Sequence, residues 1–142
     1  MKKYFLLILL FFIGNYAFAA ADNMTLNQDV AQCIKKYADN DDECLGGLSD
    51  TSESDLTAIY HLKLKEISEF DYTRWWRGTP EQKARMLTTF KQNQQDWIQY
   101  RNNYCELAST QAQGTHAFTE NMLSCVLNMN TIRAQQIRMI TP

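Results

Sequence analysis

A chain of 142 residues, 45% hydrophobic and 21% charged, has the length of one domain and enough apolar content to bury a core. It carries 14 basic and 16 acidic residues, so it lacks the basic face that nucleic acid or an anionic membrane surface requires.

The start of the chain reads as a secretory signal peptide. Lys2 and Lys3 form a basic beginning, residues 4–13 an apolar run, and Ala17-Phe18-Ala19 a peptidase cleavage signature. The run is shorter than the roughly twenty apolar residues of a membrane span, and no cysteine near the cut provides a lipid anchor. Residues 1–19 are therefore expected to be removed. That leaves 20–142 as a single domain, periplasmic or secreted and not held at the membrane. Cleavage takes away two lysines and no acid, leaving 12 basic against 16 acidic residues, a net charge of −4. A basic protein is the natural electrostatic partner of such a chain, although a charge of this size also serves solubility.

The apolar periodicity is helical throughout. A short first helix is expected over 26–37, with Val30, Cys33 and Ile34 on one side. Asp39-Asn40-Asp41-Asp42 breaks it, and Asp41 or Asp42 can cap a short turn bearing Cys44 and Leu45 that Gly46-Gly47 ends. The next helix is expected over 52–72, with Leu56, Ile59, Tyr60, Ile67 and Phe70 on one face. After Arg74-Trp75-Trp76-Arg77-Gly78, Thr79 is an N-cap, Pro80 takes the first helical position and Gln82 completes a capping box. The helix so started is expected to run over 80–109, with Leu87, Phe90, Trp97, Ile98 and Cys105 inward. The last, over 117–140, carries Phe118, Met122, Cys125, Met129, Ile132 and Ile140. The expected fold is all-α: a small disulfide-stapled bundle of three main helices plus a short N-terminal helix.

Four cysteines in an exported chain read as two disulfides. Cys33 and Cys44 are equidistant from the break at Ala38-Asp39, and Cys105 and Cys125 from Thr115 beside Gly114. Residues equidistant from a helical hairpin turn sit side by side, which predicts Cys33–Cys44 and Cys105–Cys125. No CxxC pair and no histidine at ligand spacing from two cysteines supports a metal or redox alternative.

Gln94, Trp97, Arg101 and Cys105 fall on one face of the long helix. An arginine on an apolar face must find an acid or carbonyl groups. Arg133 stands similarly at the edge of the last stripe. Ion pairs that tie helices together are the simplest reading, with Asp55, Glu66, Glu69 and Asp71 as possible partners; a paired anion site is the other.

The face Gln94-x-x-Trp97-x-x-x-Arg101-x-x-x-Cys105 resembles the central motif of the LprI-like lysozyme-inhibitor family, a group of small exported bacterial helical domains. Asp55-Leu56-Thr57-x-x-Tyr60 is similar to that family's upstream motif, with Thr57 where asparagine is usual, and Cys33 and Cys44 precede it. Cys125 followed by Arg133 and Ile137 resembles its closing segment. The resemblance spans about 33–137. It implies a non-enzymatic binding protein that inhibits lysozyme-type muramidases. A cell-envelope binding or immunity module with a different protein or peptidoglycan partner is the alternative.

Catalytic signatures are missing. His61 and His116 read as surface or capping residues, and no nucleophile elbow, zinc-protease motif or phosphate loop is present. The cluster Asp39, Asp41, Asp42 and Glu43 lacks the spacing and central glycine of an EF-hand. It reads as helix punctuation, and no metal or cofactor is expected. The candidate partner contacts are Arg74, Trp75, Trp76 and Arg77, because tryptophan and arginine dominate binding hot spots, together with Asp41 and Asp42 as an acidic patch facing a basic enzyme. In the bland alternative, one tryptophan closes the bundle end and the other packs on an arginine.

Overall fold

Side-chain caps at Asn27 and Thr79 start two of the helices in a computed structural model that describes residues 23–142. The signal peptide expected over 1–19 lies outside the described residues. Asn27 caps α1 (Gln28–Tyr37), its side chain accepting from the Asp29 and Val30 amides at 2.9 and 3.3 Å. A 3-10 turn (Ala38–Asn40) leads into α2 (Asp42–Glu69), and a second (Tyr72–Arg74) precedes α3 (Pro80–Ala108). The expected capping box opens α3: Gln82 accepts from the Thr79 amide at 2.8 Å and Thr79 from the Gln82 amide at 3.3 Å. The 3-10 turn Thr110–Ala112 and Gly114, at φ +80° where only glycine sits without strain, return the chain into α4 (Ala117–Arg138).

Helix α4 packs against all three other helices. Leu56, Ile67, Phe90, Ala134 and Ile137 form the core where α2, α3 and α4 meet, with Tyr60 stacked on Phe90 at 5.1 Å between ring centroids. Ile67 and Ile137 are fully enclosed, a burial worth about 1.5–3 kcal/mol for each side chain. A second cluster, Val30, Cys33, Leu45 and Leu127, holds α1 down. A third joins Cys105, Cys125 and Met129. The disulfides are Cys33–Cys44 and Cys105–Cys125, with Cα atoms 5.8 and 5.5 Å apart. The all-α, two-disulfide bundle of three long helices and one short one is the architecture expected.

The structure corrects the expected elements at three points. Gly46-Gly47 does not end a short turn: α2 runs unbroken from Asp42, so the turn and the following helix are one element of 28 residues. Packing of Leu45 on one side of the glycines and Leu56 on the other outweighs a helix penalty of about 1 kcal/mol per glycine. Phe70 is extended, so α2 stops before Tyr72. Ile98 and Ile132 are 37% and 45% exposed and lie off the core. A single stripe fails for α4 because this helix is enclosed on more than one side, by α2 and α1 through Leu127, Asn130, Ala134 and Ile137 and by α3 through Cys125 and Met129.

Both glycines in α2 face open space, with no atom within 4 Å of the position a Cβ would take. Gly46→Ala and Gly47→Ala should therefore each stabilise the protein by about 0.5–1 kcal/mol. Urea denaturation reads this directly, and a loss of stability would contradict an unbroken α2.

Candidate functional site

The two arginines of the helical faces meet around Trp97. Each guanidinium carbon lies 5.4 Å from the Trp97 ring centroid. Arg101 Nη1 donates to Glu53 Oε1 and to Asn130 Oδ1, both at 2.6 Å, while Nε and Nη2 donate to Asn102 Oδ1 at 3.1 and 2.9 Å. Arg133 donates from Nε to Gln94 Oε1 at 2.9 Å and from Nη2 to Asn93 Oδ1 at 2.6 Å. Burial alone lowers the Arg133 pKa below its ordinary value. Gln94, Arg101, Asn130 and Arg133 are all buried, so these guanidinium groups are used in joining α2, α3 and α4.

None of the expected acids pairs with them. Glu66 bridges to Lys63 at 2.6 Å, Glu69 lies 3.8 Å from Lys65, Asp71 accepts from Thr73, and Asp55 is exposed. The acid is Glu53, overlooked although it lies three residues before Leu56 on the stripe that continues to Tyr60, Lys63 and Ile67. Lys63 on that stripe is buried too, its ammonium donating to the Ile140 carbonyl at 2.7 Å. Asp55 instead lines an open groove of about 370 Å³ between α2 and α4, with Thr51, Asn130, Gln135 and Arg138. Of the motif residues, Leu56, Gln94, Arg101 and Arg133 are buried and Tyr60 and Trp97 half-buried among the helices, whereas Asp55 and Thr57 are at the surface.

The tetrapeptide before α3 is split between core and solvent. Trp75 is half-buried against Phe70 at 5.0 Å, and Arg74 lies 5.8 Å from the Phe70 ring. Trp76 is 86% exposed, with the Arg77 guanidinium 4.7 Å from its ring. The bland packing arrangement expected for the pair is thus present, yet it leaves one large ring in water. The loop is pinned at both ends. Asp71 accepts from the Thr73 amide and hydroxyl at 3.0 and 2.7 Å, which holds its carboxyl below the usual pKa. Gly78 packs where any Cβ would collide with the Tyr72 carbonyl. Arg77 adopts φ +56°, a left-handed conformation that costs a non-glycine residue about 1–2 kcal/mol.

The acidic candidates are elsewhere. The helix break falls at these acids as expected, but Asp41, at the N-cap position of α2, makes no side-chain capping bond; it is fully buried, and both carboxylate oxygens are without a hydrogen bond. Asp42 is exposed beside it. His116 Nε2, from the α3–α4 turn, comes to 3.9 Å from Asp41 Oδ1, and its Nδ1 lies 3.1 Å from Glu120 Oε1. Trp76 and Asp41 lie beyond opposite ends of α2, a helix about 40 Å long, so the two candidate contact groups do not form one face. His61 is exposed, its ring edge against Tyr60.

The Glu120 hydrogen bond, helped by the charges of Asp41 and Asp42, raises the His116 pKa above its ordinary value. The folded chain then holds the proton more tightly than the unfolded chain. This contribution to stability is complete below about pH 6.5 and disappears as pH rises through the folded value. In EDTA, the stability advantage of the native chain over His116→Gln should shrink as pH rises above about 6.5. A pH-independent difference would contradict the contact.

What the described residues define is an all-α domain, cross-linked twice, with its two motif arginines turned to helix packing and its most exposed aromatic ring on a pinned loop. The chain belongs to the LprI family: the family model described as "Lysozyme inhibitor LprI" matches residues 27–137. No curated protein and no solved structure matches it.

Proposed function

We propose that this protein is an exported, non-enzymatic inhibitor of lysozyme-type muramidases. Membership of the LprI family over 27–137 carries the reading. Two disulfides suit an oxidising compartment outside the cytoplasm, and no helix among the described residues is long and apolar enough to cross a membrane. The signal sequence over 1–19 would deliver the mature domain to the periplasm or beyond. Its net charge of −4 would favour encounter with a basic hydrolase.

Inhibition on this reading is steric. The Trp76–Arg77 pair supplies the contact, since an exposed tryptophan backed by a stacked guanidinium on a pinned loop loses little conformational freedom on binding. Arg74 and half-buried Trp75 serve as its support.

Cell-wall clearing by several lysozyme types, with the oxidised mature protein added, tests both claims. Dose-dependent slowing near stoichiometric ratios is expected. Trp76→Ala should weaken inhibition by about 30-fold or more, the scale of a 2 kcal/mol hot spot, while changing stability by no more than about 0.5 kcal/mol. Undisturbed clearing at micromolar protein would reject the lysozyme reading and leave an envelope or immunity module with another partner. Inhibition that survives Trp76→Ala would move the contact to another face.

A further inference from the structure

We propose that Asp41, Asp42 and His116 form a binding site for a divalent transition-metal ion of the zinc class. The site joins the start of α2 to the start of α4. It is independent of the lysozyme reading.

The first observation is the cluster itself. One ligand atom from each of the three residues lies within 4.8 Å of the other two. The second is the state of Asp41. Its side chain is fully buried, and neither oxygen accepts a hydrogen bond. A carboxylate sealed from water without a partner is strongly unfavourable. The nearest cationic candidate, His116 Nε2 at 3.9 Å, is beyond hydrogen-bond reach. A bound cation would supply the missing charge and engage these oxygens directly.

The donor set selects the ion. Calcium and magnesium take all-oxygen shells, whereas an imidazole beside two carboxylates suits zinc and its neighbours. Glu120 completes the pattern. It occupies His116 Nδ1 at 3.1 Å, which leaves Nε2 free to face Asp41. A carboxylate on the far nitrogen is the usual orienting partner of a metal-bound histidine. Ligands on tetrahedral zinc lie about 3.3 Å apart, so the cluster, spread over 4.8 Å, must close by about 1.5 Å at its widest. Exposed Asp42 and His116, the latter with 55% of its side chain in solvent, can rotate to do so around buried Asp41. Water would fill the remaining position.

Sequence spacing hides this site, because His116 and Asp41 are far apart along the chain and meet only where the α3–α4 turn reaches the start of α2.

The test is calorimetric titration of the oxidised mature protein with zinc chloride, paired with thermal melts with and without EDTA. Binding of one ion per chain and a rise in Tm that EDTA reverses are expected. Asp41→Asn and His116→Ala should each abolish both, and Glu120→Gln should weaken binding by about 10–100-fold. Asp41→Asn replaces a buried carboxyl group that accepts no hydrogen bond, so in EDTA it should melt no lower than the native chain. If it fails to fold, His116→Ala, which changes an exposed side chain, carries the test. Absence of zinc binding, or binding retained in His116→Ala, would overturn the proposal. An equal Tm rise with calcium would overturn the assignment to an imidazole-containing site.

Discussion

Replacing Arg101 by alanine is expected to cost about 3 kcal/mol of stability. Breaking a buried ion pair typically costs about 3–5 kcal/mol, because the remaining partner is left without its counter-charge. Here the value falls at the low end. The Glu53 side chain is 43% exposed and can rehydrate. The rest of the loss comes from Asn130, which is buried and shares Arg101 Nη1 with Glu53. Its amide group also donates to Ser52 Oγ at 2.9 Å and to Glu53 Oε1 at 3.2 Å, so one deletion unsettles a network linking α2, α3 and α4. Glu53→Gln keeps an acceptor oxygen and should cost about 1 kcal/mol or less. Urea denaturation of both variants and of the double mutant yields the coupling energy. A cost below about 1 kcal/mol for Arg101→Ala would mean that the arginine is not a structural tie, and would reopen the anion-site reading of the paired arginines.

Loss of the Cys105–Cys125 disulfide is expected to cost about 2–4 kcal/mol, more than loss of Cys33–Cys44. The two bridges span separations of 20 and 11 residues. Loop-closure entropy alone then favours the longer by about 0.5 kcal/mol. Position adds to the difference. Cys105 and Cys125 are both fully buried, Cys105 Sγ lies 3.6 Å from the Met129 sulfur, and the bridge ties α3 to the central helix α4. Cys33–Cys44 ties only the short α1 to α2, and Cys44 is partly exposed. Paired alanine substitutions compared by denaturant midpoint test the order, and a larger loss from Cys33→Ala/Cys44→Ala would place the core's weak point at α1 instead.

Much of this protein is legible in its residues because the relevant signals are local. Thr79-Pro80-x-Gln82 specifies a helix start by contacts within four residues, and the α3 start is as expected. The cysteine pairs are equidistant from turns that the chain itself marks, so local geometry suffices to pair them. The spacing of Gln94, Trp97, Arg101 and Cys105 places them on one face of a single helix and carries the family resemblance that the match over 27–137 bears out.

What escaped a linear reading depends on which surfaces a helix meets. Gly46-Gly47 signals a stop in isolation, but burial of Leu45 and Leu56 on the same helix outweighs the propensity penalty and carries α2 through. Ile132 has the right period and still faces solvent, because a helix packed on several sides has no single stripe. Glu53, not Asp55, Glu66, Glu69 or Asp71, receives Arg101, since partner choice depends on the axial offset of α2 against α3. Likewise, only folding encloses Asp41 and brings His116 to 3.9 Å from it. The α3 start, the cross-links and the family motif are properties of neighbours along the chain and are determined there. The ion-pair partner, the exposed Trp76 and the Asp41–His116 meeting depend on which helices touch and at what offset, and only the tertiary structure decides that.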